Sequence, residues 1–186
     1  MNKHHFRLAA GAGFGFAAVF LLNALRGGPR LAEVAPVPLA VDAELPRYMG
    51  PWHVIARIPA CPDGGIRDAI ETYSLADDGG IDLEFRSRTE RDGGFRKVVS
   101  RAVVSAGDDA VWEVRGPWSG RWAYRIAYVS PDYSAAIVAC GDRQEVRVLA
   151  RTPAVSEARF QMLVGRVGAM GFDVSRVERV GQNASR

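Results

Sequence analysis

Residues 81–86, with the sequence IDLEFR, decide the fold of this chain. Apolar and charged side chains alternate at every position, as they do in a β-strand that has one buried face and one solvated face. The segment lies between two turn sequences, DDGG at residues 77–80 and RDGG at residues 91–94. Because connections this short join only antiparallel neighbours, the segment predicts an antiparallel sheet.

The same pattern of short alternating segments and turns continues in both directions from residues 81–86. Further turn sequences lie at 106–109, 130–132 and 141–143, where glycine, proline, serine and aspartate favour chain reversal. The pattern predicts eight strands, at residues 51–58, 69–75, 81–88, 95–104, 110–115, 122–129, 135–139 and 146–150. Eight antiparallel strands in regular succession indicate an all-β domain, either a sandwich or a closed up-and-down barrel.

One segment after the strands has helical periodicity. Ser156 and Glu157 supply a cap residue and an acid at its start, and Gly171 lies where a left-handed cap would end it. Between them, apolar side chains recur at three- and four-residue steps, at Phe160, Leu163, Val164 and Val167. We therefore predict one amphipathic helix, residues 156–170, that packs its apolar face against the outside of the strands.

The composition of the chain disfavours nucleic-acid binding and metal chemistry. Of its 186 residues, 24 are Lys or Arg and 21 are Asp or Glu, and four of these bases lie in the first thirty residues. The remainder has no basic surplus from which to build a nucleic-acid-binding face. Beyond residue 30 the histidine is His53 and the cysteines are Cys61 and Cys140, without the short ligand spacing of zinc sites. With no Gly-x-Ser-x-Gly sequence and no phosphate-binding glycine loop, we predict no metal, no cofactor and no enzymatic activity.

The N-terminal region has the character of an envelope leader. Residues 1–7 are polar and basic, and residues 8–25 are apolar except for Asn23. Residues 1–25 are therefore predicted to form a hydrophobic helix that is either a signal peptide or a retained membrane anchor, with the membrane as its partner. The nearest cleavage sequence, LNA, lacks a small side chain at its first position, which favours the anchor. Residues 26–40 follow as a proline-rich linker.

Residues 48–59, YMGPWHVIARIP, resemble the opening Gly-x-Trp strand of the lipocalins and are most similar to the bacterial lipocalins and their apolipoprotein D-like relatives. Four later stretches resemble later lipocalin motifs in the same order. They are ETYSL at 71–75, PDY at 131–133, LARTP at 149–153 and GFDV at 171–174. The resemblance covers residues 41–182, before a tail at 183–186. It implies the lipocalin (calycin) fold, an eight-stranded antiparallel up-and-down β-barrel with the C-terminal helix packed outside it.

Five residues of these stretches match structural positions of the family, namely Gly50, Trp52, Asp132, Tyr133 and Arg151. Trp52, near the start of the first strand, can fill the narrow end of a barrel. Arg151, near the end of the last strand, can stack its guanidinium on that indole, a contact worth about 0.5–2 kcal/mol. We predict that this pair supports the scaffold and takes no part in ligand binding.

The interior of an eight-stranded barrel has room for one small ligand. Counting alternate positions from Trp52 and from residue 81 predicts which side chains face that interior, and the count also places Ile58 there. The predicted ligand-binding residues are Val54, Ala56, Glu71, Tyr73, Leu83, Phe85, Ser100, Ala102, Trp112 and Tyr124. Mostly apolar walls with few polar groups predict an elongated hydrophobic pocket.

Glu71 is the exception in this set, because a buried carboxylate is costly unless it is paired or protonated. Two interpretations stay open. The side chain points outwards or reaches the rim of the barrel, or it meets a polar head group or an arginine inside.

Cys61 and Cys140 follow the first and the seventh predicted strands. Odd-numbered strands of an up-and-down barrel all end at the same rim, which would bring the two thiols to the open end. In an oxidising compartment this arrangement predicts a disulfide that restrains the loop at residues 60–68. The alternative is a pair of free thiols.

The resemblance and the predicted pocket together imply a lipid-binding bacterial lipocalin of the cell envelope, on its periplasmic side. Such a protein would store or transport a fatty acid, a lysophospholipid or a similar small hydrophobic ligand, without covalent chemistry. Two alternatives stay open: a membrane-anchored structural or interaction barrel that has no dedicated ligand, and a lipocalin-type isomerase.

Overall fold

A computed structural model of the 186-residue chain describes residues 36–40, 43–116, 120–140 and 144–183. The predicted signal peptide or anchor at residues 1–25, most of the predicted linker and the last three residues of the predicted tail lie outside the described residues. In the part of the chain that is described, no helix is long and apolar enough to cross a membrane.

The described residues form two helices and nine strands. The helices are α1 (Leu45–Tyr48) and α2 (Glu157–Ala169), and a short 3-10 turn lies at Val174–Arg176. The strands are β1 (Gly50–Ile58), β2 (Ile66–Leu75), β3 (Ile81–Thr89), β4 (Phe95–Ser105), β5 (Asp108–Arg115), β6 (Arg121–Val129), β7 (Ala135–Cys140), β8 (Glu145–Ala150) and β9 (Glu178–Arg179). The eight predicted strands are confirmed, and β9 is additional.

Each pair of neighbouring strands is antiparallel, in the order β2-β3-β4-β5-β6-β7-β8-β1-β9, and β1 also pairs with β2. At the point of closure, His53 of β1 lies opposite Ala150 of β8 on one side and opposite Ile70 of β2 on the other. Pairing of β1 on both sides closes the sheet into a barrel. The structure is therefore the closed up-and-down barrel that the resemblance implied, and the sandwich is excluded.

Alternation along the strands separates two apolar clusters. The interior cluster lies inside the barrel and includes Trp52 and Trp112. The outer cluster lies between α2, which contributes Phe160, Leu163 and Val167, and the outer face of β1, β7 and β8. Because the interior lies on one side and the helix on the other, β7 is buried at every position. The predicted packing of one amphipathic helix on the outside of the barrel is thus confirmed.

The ends of α2 follow from its sequence. Ser156 precedes the helix with an extended backbone, and its Oγ accepts a hydrogen bond from the backbone N–H of Arg159 at 3.3 Å. Beyond the other end, Gly171 has a φ of +83°, a conformation that residues with a Cβ rarely adopt. These two residues hold the helix to Glu157–Ala169, within the predicted 156–170.

A β-bulge in β1 changes which of its side chains face the interior. The register against β8 shifts between Val54 and Ala56, and both Ile55 and Ala56 pack in the outer cluster. Beyond the bulge the alternation is reversed, so Ile58 also packs under α2. The prediction that Ala56 and Ile58 line the interior is therefore wrong, because it assumed an unbroken period of two.

Residues 178–183, which we call the closing segment, complete the barrel where β1 and β2 separate. The two strands pair with each other only over Gly50–His53. Further along, β9 pairs with β1 instead. Gln182 then joins the two strands, because its Nε2 donates to the backbone oxygens of Val54 (2.8 Å) and Ala69 (3.2 Å).

Candidate ligand-binding site

Trp52 fills one end of the barrel, which we call the closed end. Its side chain is fully buried, and its Nε1 donates to the backbone oxygen of Tyr48 at 2.8 Å. The Arg151 guanidinium lies 3.8 Å from the centroid of the Trp52 ring. The same guanidinium donates to the backbone oxygens of Met49 (2.8 Å) and Pro51 (2.9 Å). The segment around α1 is thereby held across this end.

Gly50, Asp132 and Tyr133 also lie at the closed end. Gly50 has a φ of +94°, and a Cβ at this position would lie 3.3 Å from the guanidinium that covers the indole. The Tyr133 hydroxyl accepts a hydrogen bond from the backbone N–H of Glu44 at 2.8 Å. Asp132 accepts one from the Ser130 hydroxyl at 2.6 Å. All the residues that the resemblance marks as structural therefore meet at one end of the barrel.

Four buried aromatic side chains, Tyr48, Tyr73, Trp112 and Tyr124, form a layer next to Trp52. Trp112 and Tyr124 stack with their centroids 5.0 Å apart and an interplanar angle of 11°. Tyr48 and Tyr73 meet Trp112 edge-on, at 5.7 Å and 5.5 Å. Each such pair adds about 0.5–1.5 kcal/mol beyond the area that it buries. The predicted ligand residues Tyr73, Trp112 and Tyr124 are thus packed on one another. We call this layer of four aromatic side chains the aromatic floor.

Charged side chains lie beside the hydroxyl groups of this layer. Glu71 Oε2 accepts hydrogen bonds from the hydroxyls of Tyr73 and Tyr124, the second at 3.2 Å. Glu71 Oε1 accepts one from Arg147 Nη1. The Nε of Arg147 donates to Glu145 Oε1 at 2.6 Å. We call Glu71, Glu145 and Arg147 the ionic cluster, which contains two carboxylates and one guanidinium, with side chains that are 4%, 8% and 16% exposed.

Of the two interpretations of Glu71, the structure shows the inward one, in which the carboxylate meets an arginine. Arg147 and Glu145 were not predicted as site residues. Their strand reads EVRVLA, and its alternate residues Val146 and Val148 pack under α2. Once a helix covers that face, the charged residues of the strand must face the interior. The apolar stripe of the predicted helix was therefore the signal that could have located Arg147.

Tyr73 and Arg147 keep fixed protonation states in this site. Burial and the nearby Glu71 carboxylate raise the pKa of Tyr73 well above its ordinary value. Burial alone would lower the pKa of Arg147, but the carboxylates of Glu145 and Glu71 raise that pKa well above its ordinary value. The hydroxyl of Tyr73 therefore stays a hydrogen-bond donor, and Arg147 stays a cation.

The inward face of β3 and β4 contains side chains that solvent reaches. Leu83 lies opposite Ser100, and Phe85 lies opposite Val98. All four residues are only partly buried. These four inward side chains therefore keep part of their surface accessible to solvent, and we call them the β3–β4 wall. Arg147 connects the wall with the ionic cluster, since its guanidinium lies 5.3 Å from the Phe85 ring centroid.

The ten predicted ligand-binding residues separate into groups. Leu83, Phe85 and Ser100 lie on the β3–β4 wall. The residues of the aromatic floor are Tyr73, Trp112 and Tyr124, and Glu71 belongs to the ionic cluster. Val54 and Ala102 are fully buried in the interior cluster. Ala56, the remaining residue, packs in the outer cluster beyond the bulge. The three on the wall are therefore the best placed of the ten to touch a ligand.

Cys61 and Cys140 are free thiols, so the predicted disulfide is not formed. Cys61 is half-buried in the loop after β1, whereas Cys140 is buried in the interior cluster. The prediction placed Cys140 at the rim because it ends β7. Its side chain instead points inwards, like those of Ala136 and Val138 on the same strand. Burial raises the pKa of the Cys140 thiol, which keeps it protonated.

The chemistry of this interior suits noncovalent binding. The β3–β4 wall is mostly apolar, and the ionic cluster beside it offers fixed charges and hydrogen-bonding groups. In the described ranges of the chain, no group of three His, Cys, Asp or Glu side chains could hold a metal ion.

These features define a class of small antiparallel barrels that carry a helix on their flank and are closed at one end by a tryptophan under an arginine. The chain belongs to the lipocalin family, because the family model of the Lipocalin-like domain matches residues 41–182. The match covers the barrel, the outer helix and most of the closing segment, and it confirms the resemblance.

Relatives and solved structures agree with this membership. The chain is 31% identical over 142 residues to the outer membrane lipoprotein Blc of Escherichia coli strain K12, covering 75% of this chain and 79% of that protein. It is 28% identical over 165 residues to the outer membrane lipoprotein Blc of Vibrio cholerae, covering 87% and 93%. Lobster apocrustacyanin A1 matches with a TM-score of 0.61 over 76% of this chain and 81% of that chain, at 14% sequence identity, which shows the fold alone.

Proposed function

We propose that this protein binds one small hydrophobic ligand inside the barrel and stores or transports it without covalent chemistry. A fatty acid, a lysophospholipid or a similar single-chain molecule fits this description. The observation that carries the proposal is the β3–β4 wall, whose inward side chains are partly exposed although the barrel around them is closed. The aromatic floor and the closed end restrict the ligand to the part of the interior that lies beyond them.

The proposed place of action is the bacterial cell envelope, on the periplasmic side. Support comes from the two bacterial relatives described above, which are named outer membrane lipoproteins, and from the apolar run at residues 8–25. The sequence has no cysteine before Cys61. We propose that attachment to a membrane would use this apolar run.

Titration of a fluorescent lysophospholipid analogue into the purified full-length chain tests the binding proposal, with one saturable site expected. Ser100→Trp adds an indole on the β3–β4 wall and should weaken binding by at least about tenfold, because the indole takes the ligand's space. Val99→Trp is the matched control, since Val99 is the next residue along β4 and its 53% exposed side chain lies on the outer face.

Circular dichroism spectra of the two variants should match that of the unchanged chain. Equal binding by both variants would place the ligand outside the barrel and defeat the proposal. A complete lack of saturable binding would instead favour a barrel filled by its own side chains, as the aromatic floor already fills part of it.

A further inference from the structure

We propose that the barrel docks on a membrane surface of anionic phospholipid through its open rim, the end opposite Trp52, on the side of β4. The docking face consists of Phe95 and Val99 on the outer face of β4, together with the bases of the two hairpins that turn at this rim, β3–β4 and β5–β6. Exchange of a ligand with the membrane would rest on the proposed function, but docking itself requires no ligand.

Exposed apolar side chains are concentrated on one strand. Six large apolar side chains are exposed in the described part of the chain, and three of them, Phe95, Val99 and Val103, lie on the outer face of β4. Phe95 is the most exposed of the six, at 61%, and it begins β4 at the open rim. Single exposed apolar side chains are common, but a row of them on one element is typical of a surface that contacts a protein or a membrane.

The ion pairs beside this row leave positive charge in excess. On the outer face of the β3–β4 hairpin, the carboxylate of Glu84 is shared by Arg86 at 3.1 Å and Lys97 at 2.6 Å. The carboxylate of Glu113 is shared in the same way by the two bases that flank the next hairpin, at 3.1 Å and 3.4 Å. Each group therefore has two bases and one acid.

The two ends of these four strands have opposite net charge. Residues 84–97 and 113–121, which belong to the rim hairpins, contain seven bases and four acids. Residues 76–82 and 101–109, towards the closed end, contain five acids and one base. That base is shared by two of the acids. The rim is therefore the end that an anionic surface attracts.

The accessible part of the interior lies next to the docking face. Val98 and Ser100, on the inward face of β4, are partly exposed. Arg57 and Ile66, towards the rim ends of β1 and β2, are only 3% and 4% exposed, and Arg57 is held by Asp63 of the loop between these strands at 2.6 Å. A ligand would therefore pass between the membrane and the β3–β4 wall on the side of β4.

An anionic bilayer matches both parts of the docking face. Bases close to such a surface are attracted by its negative potential, and an aromatic ring at the edge of a protein can be buried among the lipid headgroups. The acidic turns towards the closed end would be repelled, which turns the rim towards the lipid. The proposed attachment through residues 8–25 would hold the barrel near such a surface.

A fluorophore on β4 tests the proposal in the full-length chain. Cys61→Ser removes the half-buried thiol, and Phe95→Cys then supplies a site for the environment-sensitive label NBD, whose apolar ring replaces the phenyl group. Val103→Cys is the matched control, because Val103 is 51% exposed on the same face of the same strand but lies towards the closed end. Each labelled chain is mixed with vesicles of phosphatidylcholine alone, or of equal parts phosphatidylcholine and phosphatidylglycerol.

The label at position 95 should brighten at least about twofold with the anionic vesicles, whereas the label at position 103 should stay close to its value in buffer. The apolar run can hold the chain on either kind of vesicle, so the difference between the two labels isolates docking. An equal response of the two labels would overturn the inference. So would a label at position 95 that is unchanged by anionic vesicles, or that brightens equally with phosphatidylcholine alone.

Charge variants assign the lipid preference to the rim. Lys97→Gln, added to the chain labelled at position 95, should raise the lipid concentration at half-maximal response by about threefold or more. Arg101→Gln is the matched control, because it removes a base from the same strand towards the acidic end, and it should shift that concentration by less than about twofold. Equal shifts by the two variants would contradict the assignment.

A second copy of the chain is the competing occupant of this face. Brightening at position 95 that grows with protein concentration in the absence of vesicles would show that another copy covers it, and would overturn membrane docking. None of these measurements contains the lysophospholipid analogue, so the proposed function and this inference can fail separately.

Discussion

At the scale of single residues, Arg151 holds together several parts of the closed end. Its guanidinium covers the Trp52 ring and donates to four backbone oxygens, those of residues 47–49 and 51. Arg151→Lys keeps the charge but loses the planar guanidinium, which stacks on the indole and donates to several oxygens at once. We expect the free energy of unfolding to fall by about 1–3 kcal/mol, measured by urea unfolding followed by circular dichroism.

The matched control for this change is Arg121→Lys. Arg121 is 61% exposed on β6 and pairs with Glu113 at 3.4 Å, so the free energy of unfolding should change by less than about 0.5 kcal/mol. The folded fraction of Arg151→Lys should bind ligand as the unchanged chain does. An unaltered urea midpoint combined with weaker binding would make Arg151 a ligand residue and contradict its scaffold role.

The two thiols should differ in reactivity because they differ in burial. Cys61 is half-buried in a loop, whereas Cys140 is buried, and burial raises the pKa of Cys140. Since the thiolate is the nucleophile, iodoacetamide should modify Cys61 in the folded protein and reach Cys140 only after denaturation. Intact-mass spectrometry measures this, and a reducing agent should leave the mass of the untreated chain unchanged. A gain of two protons on reduction would reveal a disulfide.

At the scale of elements, the loop between β6 and β7 should make the closed end sensitive to acid. Hydrogen bonds from Ser130 and Ser134 hold the pKa of Asp132 well below its ordinary value. A carboxyl whose pKa is lowered by folding stabilises the protein above its unfolded pKa, and this contribution is lost as the pH falls towards the folded pKa. Asp132→Asn should therefore lower the urea midpoint at pH 7, by an amount that shrinks below about pH 4.

Asp77→Asn, in the exposed turn between β2 and β3, is the control for this pH dependence. Its urea midpoint should follow that of the unchanged chain at every pH. A deficit of Asp132→Asn that is equally large at pH 7 and pH 3 would mean that the loop had rearranged, and that the carboxylate charge was not its source.

Elements were predictable from sequence where each one shows an uninterrupted period. Strand β3 alternates without a break, and α2 has an apolar stripe with a cap at each end. The two-residue β9 is too short to show any period, so it could not be found. The bulge in β1 was missed for a related reason, because a shift of register belongs to a pair of strands and only one of them is read at a time. Ala56 was misplaced as a result.

At the scale of the whole molecule, the candidate site was predictable only in part. The sequence identified Glu71 as an anomalous carboxylate in an apolar set. Its partner Arg147 is 76 positions away and reaches it only because closure of the barrel places β8 and β2 on the two sides of β1. No local sequence pattern could show that residues so far apart in the chain form an ion pair. The apolar half of the site, Leu83 and Phe85, lies within a single strand and was therefore predictable.

The closing segment also determines when the barrel can close during synthesis of the chain. Strand β1 is the first of the nine to be synthesised, but β8 and β9, with which it must pair, are the last. Until residues 178–183 have left the ribosome, the nascent sheet has unpaired edges that can pair with other chains. Contacts between such distant parts of a chain also form slowly. For nearly the whole of its synthesis, one edge of β1 therefore lacks the strands with which it pairs in the folded protein.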